Sequence, residues 1–550
     1  TGGGRGGVTR NLGTSVEDNV AHAIWVNLIQ ELCESLDYGI PAMVSIDPQD
    51  QSGIVKCMAL AATMDPDVAL EAGKEVSKQY RAAGISFLLG PDVDLVTSPV
   101  MDRANEAYTE DPALTRDIVE AYISGMQSTW NGTTDEGWGS DSVLTVMKHY
   151  AGAGASEGGR DDHNETGRVA VFPNNNFEAH LIAFHDGAFA LKNSSTKAAA
   201  GVMTNYSVAY SKDGSLGELV GGAWSEWKFN TLFGSGWTGL IVSDWNIWGD
   251  NGPNWGVEDY STPERLARSI ALGLTQAGGY DKLDNMIEAW DILKEDLGEE
   301  DALKLMQDRA YENILGTMRL GLFENPYNST DHVRAVNCTE ESRAFGLETQ
   351  MRSIVMVKNN GGVIKQSEGG EKQTVYIPYR FTEAVVGAWS STPASWVPSV
   401  DLELAERYYN VVTDTVKDPS GPADGKGNAT YTENDIQRAA AADVAACDFV
   451  LVGMKAPHAA STAIENEDGS QTWLPPSIQY MPYTAATAKE TSIAGKDIEE
   501  TFNDGYTQQT KITTENRSYK GNTSAVPSTA SHWICSRRPR PLRGTSLSWS

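Results

Sequence analysis

The sequence predicts an α/β protein, namely a (β/α)8-type TIM barrel followed by a partial α/β sandwich domain. Three observations predict this fold class. From residue 15 to about residue 320, helical patterns alternate with short apolar runs, as in repeated β/α units around a parallel sheet. Each apolar run in this region ends in polar or charged residues. Beyond residue 340 a second alternation of apolar runs and helical patterns begins.

The length of the chain supports more than one domain. Its 550 residues, 40% of them hydrophobic, are enough for two or more substantial cores. We expect the barrel domain at 1–325, a linker rich in Asn, Thr and Asp at 326–345, and an incomplete α/β domain at 346–524. The last segment, 525–550, is basic and rich in proline, and we expect it to be unrelated to either domain.

Charge and hydropathy exclude two classes of partner. The net charge is -31 and the sequence pI is near 4.6. Such a field repels phosphate backbones, so nucleic acid is not an expected partner. No apolar run approaches the roughly 18 residues of a membrane span, so a membrane is not expected either. A neutral sugar is compatible with this charge, and the 15 Trp and 20 Tyr suit the faces of sugar rings.

Cysteines and glycosylation motifs bear on the compartment. The five cysteines lie far apart and form no CxxC pair, so we expect neither a zinc site nor a dense disulfide framework. Motifs of the form Asn-X-Ser/Thr recur along the chain and include those that begin at Asn131, Asn164, Asn328 and Asn337. They fit a glycosylated secreted protein. We therefore expect a secreted or periplasmic location, although no signal peptide precedes the opening "TGGGRGG".

The elements follow one another in the order of β/α units. Ser15 and Asp18 can cap a first helix, whose apolar positions recur at helical spacing from Val20 to Leu32. The apolar runs that we interpret as strands are "AMVSID", "ISFLLGPDVD", "VLTVMKH", "AAGVMTNY" and "GLIVSD". Helical patterns separate them, and Asn325 and Pro326 end the last helix. Later runs "SIVMVKNNGG", "TVYIPYRF" and "DFVLVGM" are predicted as buried strands of the second domain.

Polar residues at the ends of five predicted strands are the main functional signal. They are Asp47, Asp92 with Asp94, Lys148 with His149, Asn205 with Tyr206, and Asp244. Each could simply begin a solvated loop. In a β/α barrel, however, the carboxyl ends of all strands face one mouth, where active sites are built. Paired carboxylates with hydroxyl-binding side chains are what hydrolysis of a glycosidic bond requires.

Several motifs occur in the order found in one known family. The segments "KHYAGAGASEGGRDDH" at 148–163, "GVMTNYS" at 201–207 and "GLIVSDW" at 239–245 resemble successive strand motifs of the glycoside hydrolase family 3 β-glucosidases and exo-β-glucanases. "YGIPAMVSID", "GPDVDLVTSPVMDR", "RLGLFENPY" and "SIVMVKNNGG" fall in the matching order. The resemblance covers residues 1 to about 365 well and the later region loosely.

The resemblance implies a role for Asp244 and its neighbours. Asp244 would be the nucleophile of a retaining mechanism, forming a glycosyl-enzyme ester. A carboxylate that begins a helix after a strand is the ordinary alternative for this residue. Trp245 would form an apolar wall beside the sugar, and Met203 and Tyr206 would line the pocket near the nucleophile.

The same resemblance implies a set of hydroxyl-binding residues. Asp47 matches the acidic residue of the family's glucose-binding turn, and Lys148 and His149 match its "KH" pair. Arg103 matches the last arginine of the family's "PRWGR". Here the segment is "PVMDR", so the first arginine and the tryptophan are absent and the pocket wall is expected to differ.

The acid/base residue is the least specified part of the site. In two-domain members of the family it is a glutamate carried by the second domain on a variable loop. "TTENRSYKGN" supplies Glu515, whose neighbours Arg517 and Lys520 could tune its proton affinity. Glu465 and Glu467 in "AIENEDGS" are rivals. We favour Glu515.

Two departures from the family pattern concern the ends of the chain. "TGGGRGG" resembles the glycine-rich loop that follows the first barrel strand and helix of the family, so the first β/α unit is expected to be missing. A barrel without that unit would expose a sheet edge. The tail "AVPSTASHWICSRRPRPLRGTSLSWS" carries none of the expected later strands of the second domain.

The function expected from the sequence is that of a retaining, exo-acting β-glucosidase. It would hydrolyse terminal non-reducing β-D-glucosyl residues of β-glucosides or β-gluco-oligosaccharides, without a metal or organic cofactor. One alternative is a β-N-acetylglucosaminidase that uses Asp161 and His163 as acid/base. Another is a catalytically impaired sugar-binding fragment. A nucleotide-binding protein is not supported, because "GAGASEGG" lacks a P-loop ending. A homodimer is the assembly that we consider.

Overall fold

The computed structural model describes most of the chain as two compact units. The described residues are 15–47, 53–101, 103–362, 369–386, 391–424, 427–493, 498–499, 511–512 and 516–532. The first unit takes in Thr1–Val357 and Ser492–Asn516, and the second takes in Lys358–Thr491 and Arg517–Ser550.

Helices dominate the first unit. They are α1 (Val16–Glu34), α2 (Cys57–Ala62), α3 (Pro66–Ala82), α4 (Pro112–Gln127), α5 (Phe177–Ile182), α6 (Glu226–Gly234), α7 (Thr262–Leu272), α8 (Leu283–Leu297), α9 (Glu299–Arg319), α10 (Thr330–Val336) and α11 (Glu340–Arg352). The second unit contains α12 (Leu402–Tyr408) and α13 (Ala441–Ala446).

Strands are short throughout the described part of the chain. The first unit has β1 (Ser45–Ile46), β2 (Phe87–Leu88), β3 (Trp130–Asn131), β4 (Thr134–Asp135), β5 (Leu144–Tyr150), β6 (Val169–Val171), β7 (Gly201–Thr204), β8 (Val208–Tyr210), β9 (Leu240–Val242), β21 (Ile498–Glu499) and β22 (Lys511–Ile512). The second unit has β10 (Thr374–Ile377), β11 (Tyr379–Thr382), β12 (Val385–Val386), β13 (Ser391–Thr392), β14 (Ser395–Pro398), β15 (Asn410–Thr413), β16 (Thr415–Val416), β17 (Ile436–Gln437), β18 (Phe449–Val450), β19 (Thr462–Glu465) and β20 (Gln471–Leu474).

A five-stranded parallel sheet is the framework of the first unit. Its strand order, β1-β2-β5-β7-β9, follows the order of the chain. All four pairings are parallel, and a further parallel bridge joins Val242 to Gln276 beyond β9. Because the strands are parallel, their carboxyl ends lie along one edge of the sheet, where the predicted site residues follow.

Local sequence signals explain where several helices begin. The Ser15 side chain accepts a hydrogen bond from Asp18 N at the start of α1, as predicted. Asp65 and Asp111 cap α3 and α4 in the same way, each followed by a proline at the first helical position. Ser261 and Glu264 form a reciprocal capping box at the start of α7. These caps satisfy backbone N–H groups that have no partner within the helix.

Apolar packing fixes the sheet against its helices. All seven residues of β5 are buried, as expected for a central strand of a parallel sheet covered on both faces. Val146, Leu144 and Met203 lie in a cluster with Leu240 on one face. The larger cluster contains the buried residues of α3 and α4, and α3 and α4 are in extensive contact. Burial of this apolar area is the main force that holds the strand ends in place.

The fold-class prediction is confirmed in its coarser form, an α/β protein with a parallel sheet. Closure of the sheet into an eight-stranded barrel stays a prediction. Residues 326–345, which we expected to be a linker, contain α10 and the start of α11. Ser329 and Thr339 cap these helices, and Val333 of α10 packs with Val20 of α1.

The second unit is α/β as well. Its β10 pairs in parallel with β15 and with β18, which matches the strands predicted in "TVYIPYRF" and "DFVLVGM". The prediction of a buried strand in "SIVMV" is wrong. Residues 354–357 have no regular strand structure, and Ile354 and Val357 are 78% and 79% exposed. High β propensity alone does not form a strand without a neighbouring strand to pair with.

Among the described helices, none is long and apolar enough to cross a membrane. Four of the five cysteines lie in the described residues, and they form no disulfide with one another: Cys33, Cys57, Cys338 and Cys447. Cys535 lies outside the described residues.

Candidate active site

The first unit brings most of the predicted site residues together at the carboxyl edge of the parallel sheet. Lys148 and His149 belong to β5 itself. Asp47 follows β1, Tyr206 follows β7, and Asp244 follows β9. Direct contacts join these residues to one another, as described below. The predicted gathering of separate strand ends is therefore found in the structure.

Asp244 is a buried carboxylate with two distinct oxygens. Its Oδ1 accepts a hydrogen bond from the Tyr206 hydroxyl at 2.7 Å and another from Trp245 N at 2.7 Å. Its Oδ2 lies 3.4 Å from Nε2 of His149. One oxygen is thus fixed, and the other has no hydrogen-bond donor among the described residues.

His149 connects Asp244 to the end of β2. Its Nδ1 lies 2.6 Å from Oδ2 of Asp94, and its Nε2 lies 3.2 Å from Nη1 of Arg103. An arginine only donates hydrogen bonds, so Nε2 accepts and Nδ1 carries the proton donated to Asp94. Burial and the nearby Arg103 guanidinium lower the pKa of His149 to about 4. The imidazole is therefore neutral near pH 7.

Arg103 supplies the positive charge that faces Asp244. Its guanidinium donates to Oε2 of Glu106 through Nε at 3.0 Å and Nη2 at 2.8 Å, and Nη2 lies 3.6 Å from Oδ2 of Asp92. Burial alone would lower the pKa of Arg103, but the carboxylates of Asp92, Glu106 and Asp244 raise it well above its ordinary value. The arginine is held charged and oriented.

Two further carboxyl groups, Asp92 and Asp94, lie under this cluster. Both are buried, and burial raises the pKa of Asp92 to about 6 and that of Asp94 to about 7. Asp92 Oδ1 accepts from Asp94 N at 3.1 Å. Oδ2 of Asp92 and Oδ1 of Asp94 accept no hydrogen bond from the described residues.

Lys148 and Asp47 form the other side of the site. The Lys148 ammonium donates to Oδ1 of Asp47 at 3.0 Å. The lysine side chain is 5% exposed, whereas that of Asp47 is 57% exposed. The pair therefore runs from the interior of the sheet edge to solvent, as a group that meets an incoming ligand would.

Trp245 packs its indole against a glycine turn. A Cβ on Gly279 would lie 2.4 Å from Cδ1 of Trp245, and the φ of Gly279 is +62°. Only glycine allows that backbone to approach the ring so closely. Met203 is buried in the apolar cluster that Trp245 adjoins, so it supports the wall from behind.

Asp161 and His163 also reach this cluster. Nδ1 of His163 lies 2.6 Å from Oδ1 of Asp161, and the His163 ring centroid is 4.5 Å from that of Tyr206. Burial would lower the pKa of His163, but the Asp161 carboxylate raises it above the ordinary value. The side chain is 45% exposed. The structure therefore places a solvent-accessible Asp-His pair beside the phenol that contacts Asp244.

The three glutamates proposed as acid/base are not brought to this cluster by described contacts. Glu515 lies outside the described residues. Its neighbour Asn516 accepts a hydrogen bond from Ser492 N at 3.1 Å, and Ile493 N donates to Glu157 at 2.8 Å. Glu157 belongs to the loop after β5, within the same unit. Glu465 and Glu467 are exposed on the β19–β20 hairpin of the second unit.

Several functional residues were missed at the sequence level. Asp92 and Asp94 were recognised as strand ends, but their contact with His149 was not foreseen. Glu106, which holds Arg103, lies in no quoted motif, and Asp162, which accepts a hydrogen bond from the Ser207 hydroxyl, lies in the quoted segment 148–163 without a role assigned to it. The spacing Arg103–Glu106, three residues apart in a turn, was the available signal for one of them.

Two groups of donors could hold a cation. Asp92, Asp94 and His149 form one, and Asp161, Asp162 and His163 form the other, each with ligand atoms within 4.8 Å of one another. In both groups the imidazole Nδ1 is already within hydrogen-bond distance of a carboxylate, at 2.6 Å. The donor sets are explained by these internal bonds.

The fold and the cluster together define a class of protein. It is an α/β protein in which a buried carboxylate, a neutral imidazole, a charged guanidinium and a lysine-carboxylate pair meet at the carboxyl ends of parallel strands. Such sites bind and transform small polar ligands.

Comparison with family models gives a match over part of the chain. Residues 3–259 match the model of the Glycosyl hydrolase family 3 N terminal domain. This part of the chain is therefore similar to that domain, and it resembles the β-glucosidase type of the family, as the sequence motifs indicate.

Curated relatives agree with this family. The chain is 30% identical over 370 residues to a "Periplasmic beta-glucosidase/beta-xylosidase" of Dickeya chrysanthemi, covering 61% of this chain and 54% of that protein. It is 28% identical over 418 residues to "Beta-glucosidase C" of Emericella nidulans, covering 72% and 64%. The chain thus spans between half and two thirds of the length of these relatives.

Solved structures share the fold. A β-glucosidase from Erythrobacter marinus matches with a TM-score of 0.57 at 19% identity, covering 82% of this chain and 58% of that chain. A β-glucosidase from Listeria innocua matches with a TM-score of 0.57 at 19% identity, covering 78% and 55%. At this identity the likeness concerns the fold alone.

Proposed function

We propose that this chain is a retaining, exo-acting β-glucosidase that removes terminal non-reducing β-D-glucosyl residues and forms its glycosyl-enzyme ester on Asp244. The observation that carries the proposal is the geometry of Asp244. Tyr206 and Trp245 N fix Oδ1, while Oδ2 has no hydrogen-bond donor among the described residues and lies 3.4 Å from a neutral imidazole. A carboxylate held by one oxygen, with no donor on the other, supports a nucleophilic role.

Ligand binding is assigned to the residues around that carboxylate. Arg103 and Lys148 offer donors beside the imidazole of His149, and Asp47 offers an exposed acceptor at one end of the site. Sugar hydroxyls need both donors and acceptors at fixed positions. Trp245, backed by Met203, gives one apolar ring face. The names of the relatives from Dickeya chrysanthemi and Emericella nidulans support a β-glucoside or β-xyloside as substrate.

Glu515 is our proposed acid/base for the glucosidase. Its support is the chain of two hydrogen bonds from Asn516 through Ser492 and Ile493 to Glu157 in the loop after β5. These bonds hold the segment next to Glu515 on the unit that carries Asp244. The acid/base would protonate the leaving oxygen in the first step and activate water in the second.

The nucleophile is tested by trapping with 2,4-dinitrophenyl 2-deoxy-2-fluoro-β-D-glucoside. Fluorine at C2 slows both steps, and the good leaving group lets the ester accumulate. Peptide mass analysis should then find one fluoroglucosyl group on Asp244, and Asp244→Asn should take up none. A label on another carboxylate in the wild-type protein would refute the assignment. Exo action is tested with oligosaccharides labelled at the reducing end, which should be shortened one glucose at a time.

A second candidate is a β-N-acetylglucosaminidase that uses Asp161 and His163 as acid/base. The observation that favours it is the 2.6 Å contact between His163 and Asp161, next to Tyr206. The two candidates differ in substrate and in the residue required. The test measures the hydrolysis of two substrates, an aryl β-glucoside and an aryl N-acetyl-β-glucosaminide. Each substrate is given to both variants, Glu515→Gln and His163→Ala.

Azide rescue sharpens that comparison. Without its acid/base a retaining enzyme cannot activate water efficiently, and azide, which needs no base, restores turnover as a glycosyl azide. The glucosidase proposal requires azide rescue of Glu515→Gln and none for His163→Ala. The reverse pattern, with preference for the N-acetyl substrate, would establish the second candidate instead. Sugar binding without turnover in the wild-type chain would support the impaired-fragment alternative.

Architecture and location complete the proposal. We propose that the five parallel strands belong to a (β/α)8 barrel and that Lys358–Thr491, which lie in the second unit rather than spanning 346–524, belong to a family-type second domain. The strand order, sequential along the chain, supports the barrel. We also propose a secreted or periplasmic location, and the name of the periplasmic relative from Dickeya chrysanthemi supports the periplasm. A homodimer is our proposal for the assembly.

A further inference from the structure

Behind the site lies a buried lysine, Lys228 on α6, that no sequence motif singled out. It is 2% exposed. Its ammonium donates to Oδ1 of Asn205 at 2.7 Å and to the carbonyl oxygen of Ser207 at 3.0 Å. Burial lowers the pKa of Lys228 to about 7. Burying an ammonium group with two neutral hydrogen-bond acceptors costs free energy. We therefore expect Lys228 to have a role other than packing.

The two acceptors bracket a residue of the site. Asn205 and Ser207 lie on either side of Tyr206, whose hydroxyl donates to Asp244. Fixing the side chain of one and the carbonyl of the other fixes the backbone from which the phenol projects. Asn205 is held further by its own bond to the carbonyl oxygen of Ala151, just after β5.

Lys228 is also connected to the loop of Asp161 and His163, through one further hydrogen bond. Ser207, whose carbonyl accepts from Lys228, donates its hydroxyl to Asp162. Asp162 lies between Asp161 and His163 in the chain, and its carbonyl oxygen accepts from Trp255 Nε1 at 2.9 Å. Lys228 therefore holds the segment 205–207 directly and the segment 161–163 through Ser207, and the two segments meet where the His163 ring packs on Tyr206.

We propose that Lys228 is a positioning residue that holds Tyr206 against the Asp244 carboxylate and ties the 161–163 loop to the same point. The catalytic consequence rests on the proposed function, since it assumes that Asp244 reacts. The positioning itself does not, and it can be measured without turnover.

The test compares Lys228→Met with Leu232→Ala. Methionine keeps the length and apolar stem of lysine but donates no hydrogen bond. Leu232 lies on the same helix, is 2% exposed and lines the same small cavity near Lys228, so its truncation should destabilise the protein without touching the bonds to Asn205 and Ser207. Both variants are made in the full chain, and thermal unfolding reports the stability of each.

Hydrogen–deuterium exchange supplies the readout that is independent of activity. In Lys228→Met, peptides covering 160–168 and 203–210 should both exchange faster than in the wild type. In Leu232→Ala the increase should be confined to peptides of α6 and its immediate neighbours. Unchanged exchange in the two loop peptides of Lys228→Met, or the same pattern in both variants, overturns the proposal.

Kinetics supplies the second readout. With an aryl β-glucoside, Lys228→Met should lower kcat about 10²-fold, the loss that a misplacement of about 1 Å can cause, with a much smaller change in KM. Leu232→Ala should keep the wild-type kcat per folded molecule. A wild-type protein with no turnover would count against the proposed function and leave the exchange experiment to decide on Lys228. Faster exchange with unchanged kcat would overturn the catalytic part.

Discussion

The hydroxyl of Tyr206 donates a 2.7 Å hydrogen bond to Oδ1 of Asp244, and both side chains are buried. The two residues follow adjacent strands, β7 and β9, so the parallel sheet itself sets their distance. Burial and the Asp244 charge raise the pKa of Tyr206 well above its ordinary value, which keeps the phenol protonated as a donor. The hydrogen bond engages Oδ1 of Asp244, while Oδ2 has no hydrogen-bond donor among the described residues.

Replacing Tyr206 with phenylalanine should therefore lower kcat/KM on an aryl β-glucoside. A hydrogen bond to a charged group is worth about 1.5–3 kcal/mol, so the expected loss is roughly 10- to 100-fold. The matched control is Tyr327→Phe, which removes a 2.7 Å hydroxyl–carboxylate bond to Glu34 on an exposed part of the same unit. Equal kinetics in the two variants would show that the Tyr206 bond has no catalytic role.

Removing Asp47 should weaken substrate binding more than it slows the reaction. Asp47→Ala takes away an exposed acceptor and leaves the buried Lys148 ammonium without that carboxylate. Because the carboxylate is largely in solvent, the effect on stability should be small, about 1 kcal/mol or less. KM for an aryl β-glucoside should rise several-fold with kcat little changed. A fall in kcat at constant KM would place Asp47 in the chemistry instead.

Gly279→Ala should disturb the indole wall. The added Cβ would lie 2.4 Å from Trp245 Cδ1, and the backbone has a φ of +62°. Gly236→Ala is the control, because Gly236 has a φ of +79° but nothing within 4 Å of its added Cβ. In the control, the free energy of unfolding should fall only by the strain of an alanine in the left-handed conformation, about 1–2 kcal/mol. Urea unfolding should show a larger loss for Gly279→Ala, together with a raised KM. Equal losses would mean that Trp245 moves freely.

A buried histidine away from the site should make stability depend on pH. His180 of α5 is 5% exposed, packs edge-on against Phe172, and burial lowers its pKa to about 4. Between pH 4 and 6.5 the unfolded chain binds a proton that the folded protein does not. Stability from this group is thus complete above pH 6.5 and falls as the pH drops toward 4.

The variant His180→Phe should remove that dependence. The full effect of a shift of this size is on the order of 3 kcal/mol, so the free energy of unfolding of the variant should fall less between pH 7 and pH 4 than that of the wild type. Urea unfolding at closely spaced pH values measures it. Parallel curves for the two proteins would show that His180 is protonated in the folded state at the same pH as in the unfolded chain.

The sequence predicted the residues at the carboxyl edge of the sheet well, because each parallel strand is visible in the sequence as an apolar run that ends in polar residues. Asp47, Lys148, His149 and Asp244 each follow an apolar run, and the chain order of the runs became the order of the strands. The motif resemblance then supplied roles that spacing alone does not give.

Other residues of the site have no comparable signal in the sequence. Glu106, Asp162 and Lys228 act through hydrogen bonds to residues 3, 45 and 23 positions away. Those pairings depend on how α6 and the loops pack, and a single charged residue in a helix is ordinarily solvated. The exposed stripe of α1 shows the same limit, because Leu28 and Leu32 recur at helical spacing yet are 58% and 60% exposed. Periodicity predicts the helix but not what covers its apolar face.

The Asp161–His163 pair leads to a prediction that separates the two acid/base candidates. Asp161 raises the pKa of His163 above its ordinary value despite burial, so the imidazole stays protonated to a higher pH than an isolated histidine. If His163 donates the proton to the leaving oxygen, activity falls as the pH rises through this raised pKa. Asp161→Asn removes the charge that raises it, so the basic limb of the kcat/KM profile should move to lower pH.

The profile is measured with two substrates of different leaving-group basicity. A nitrophenolate leaves with little help from an acid, whereas a simple alkyl leaving group depends on one. The shift in Asp161→Asn should therefore appear with the alkyl β-glucoside or N-acetyl-β-glucosaminide that the wild type prefers, and be small with the nitrophenyl substrate. A basic limb that is unchanged in Asp161→Asn but altered in Glu515→Gln would assign the proton to Glu515, because only the group that donates it sets that limb.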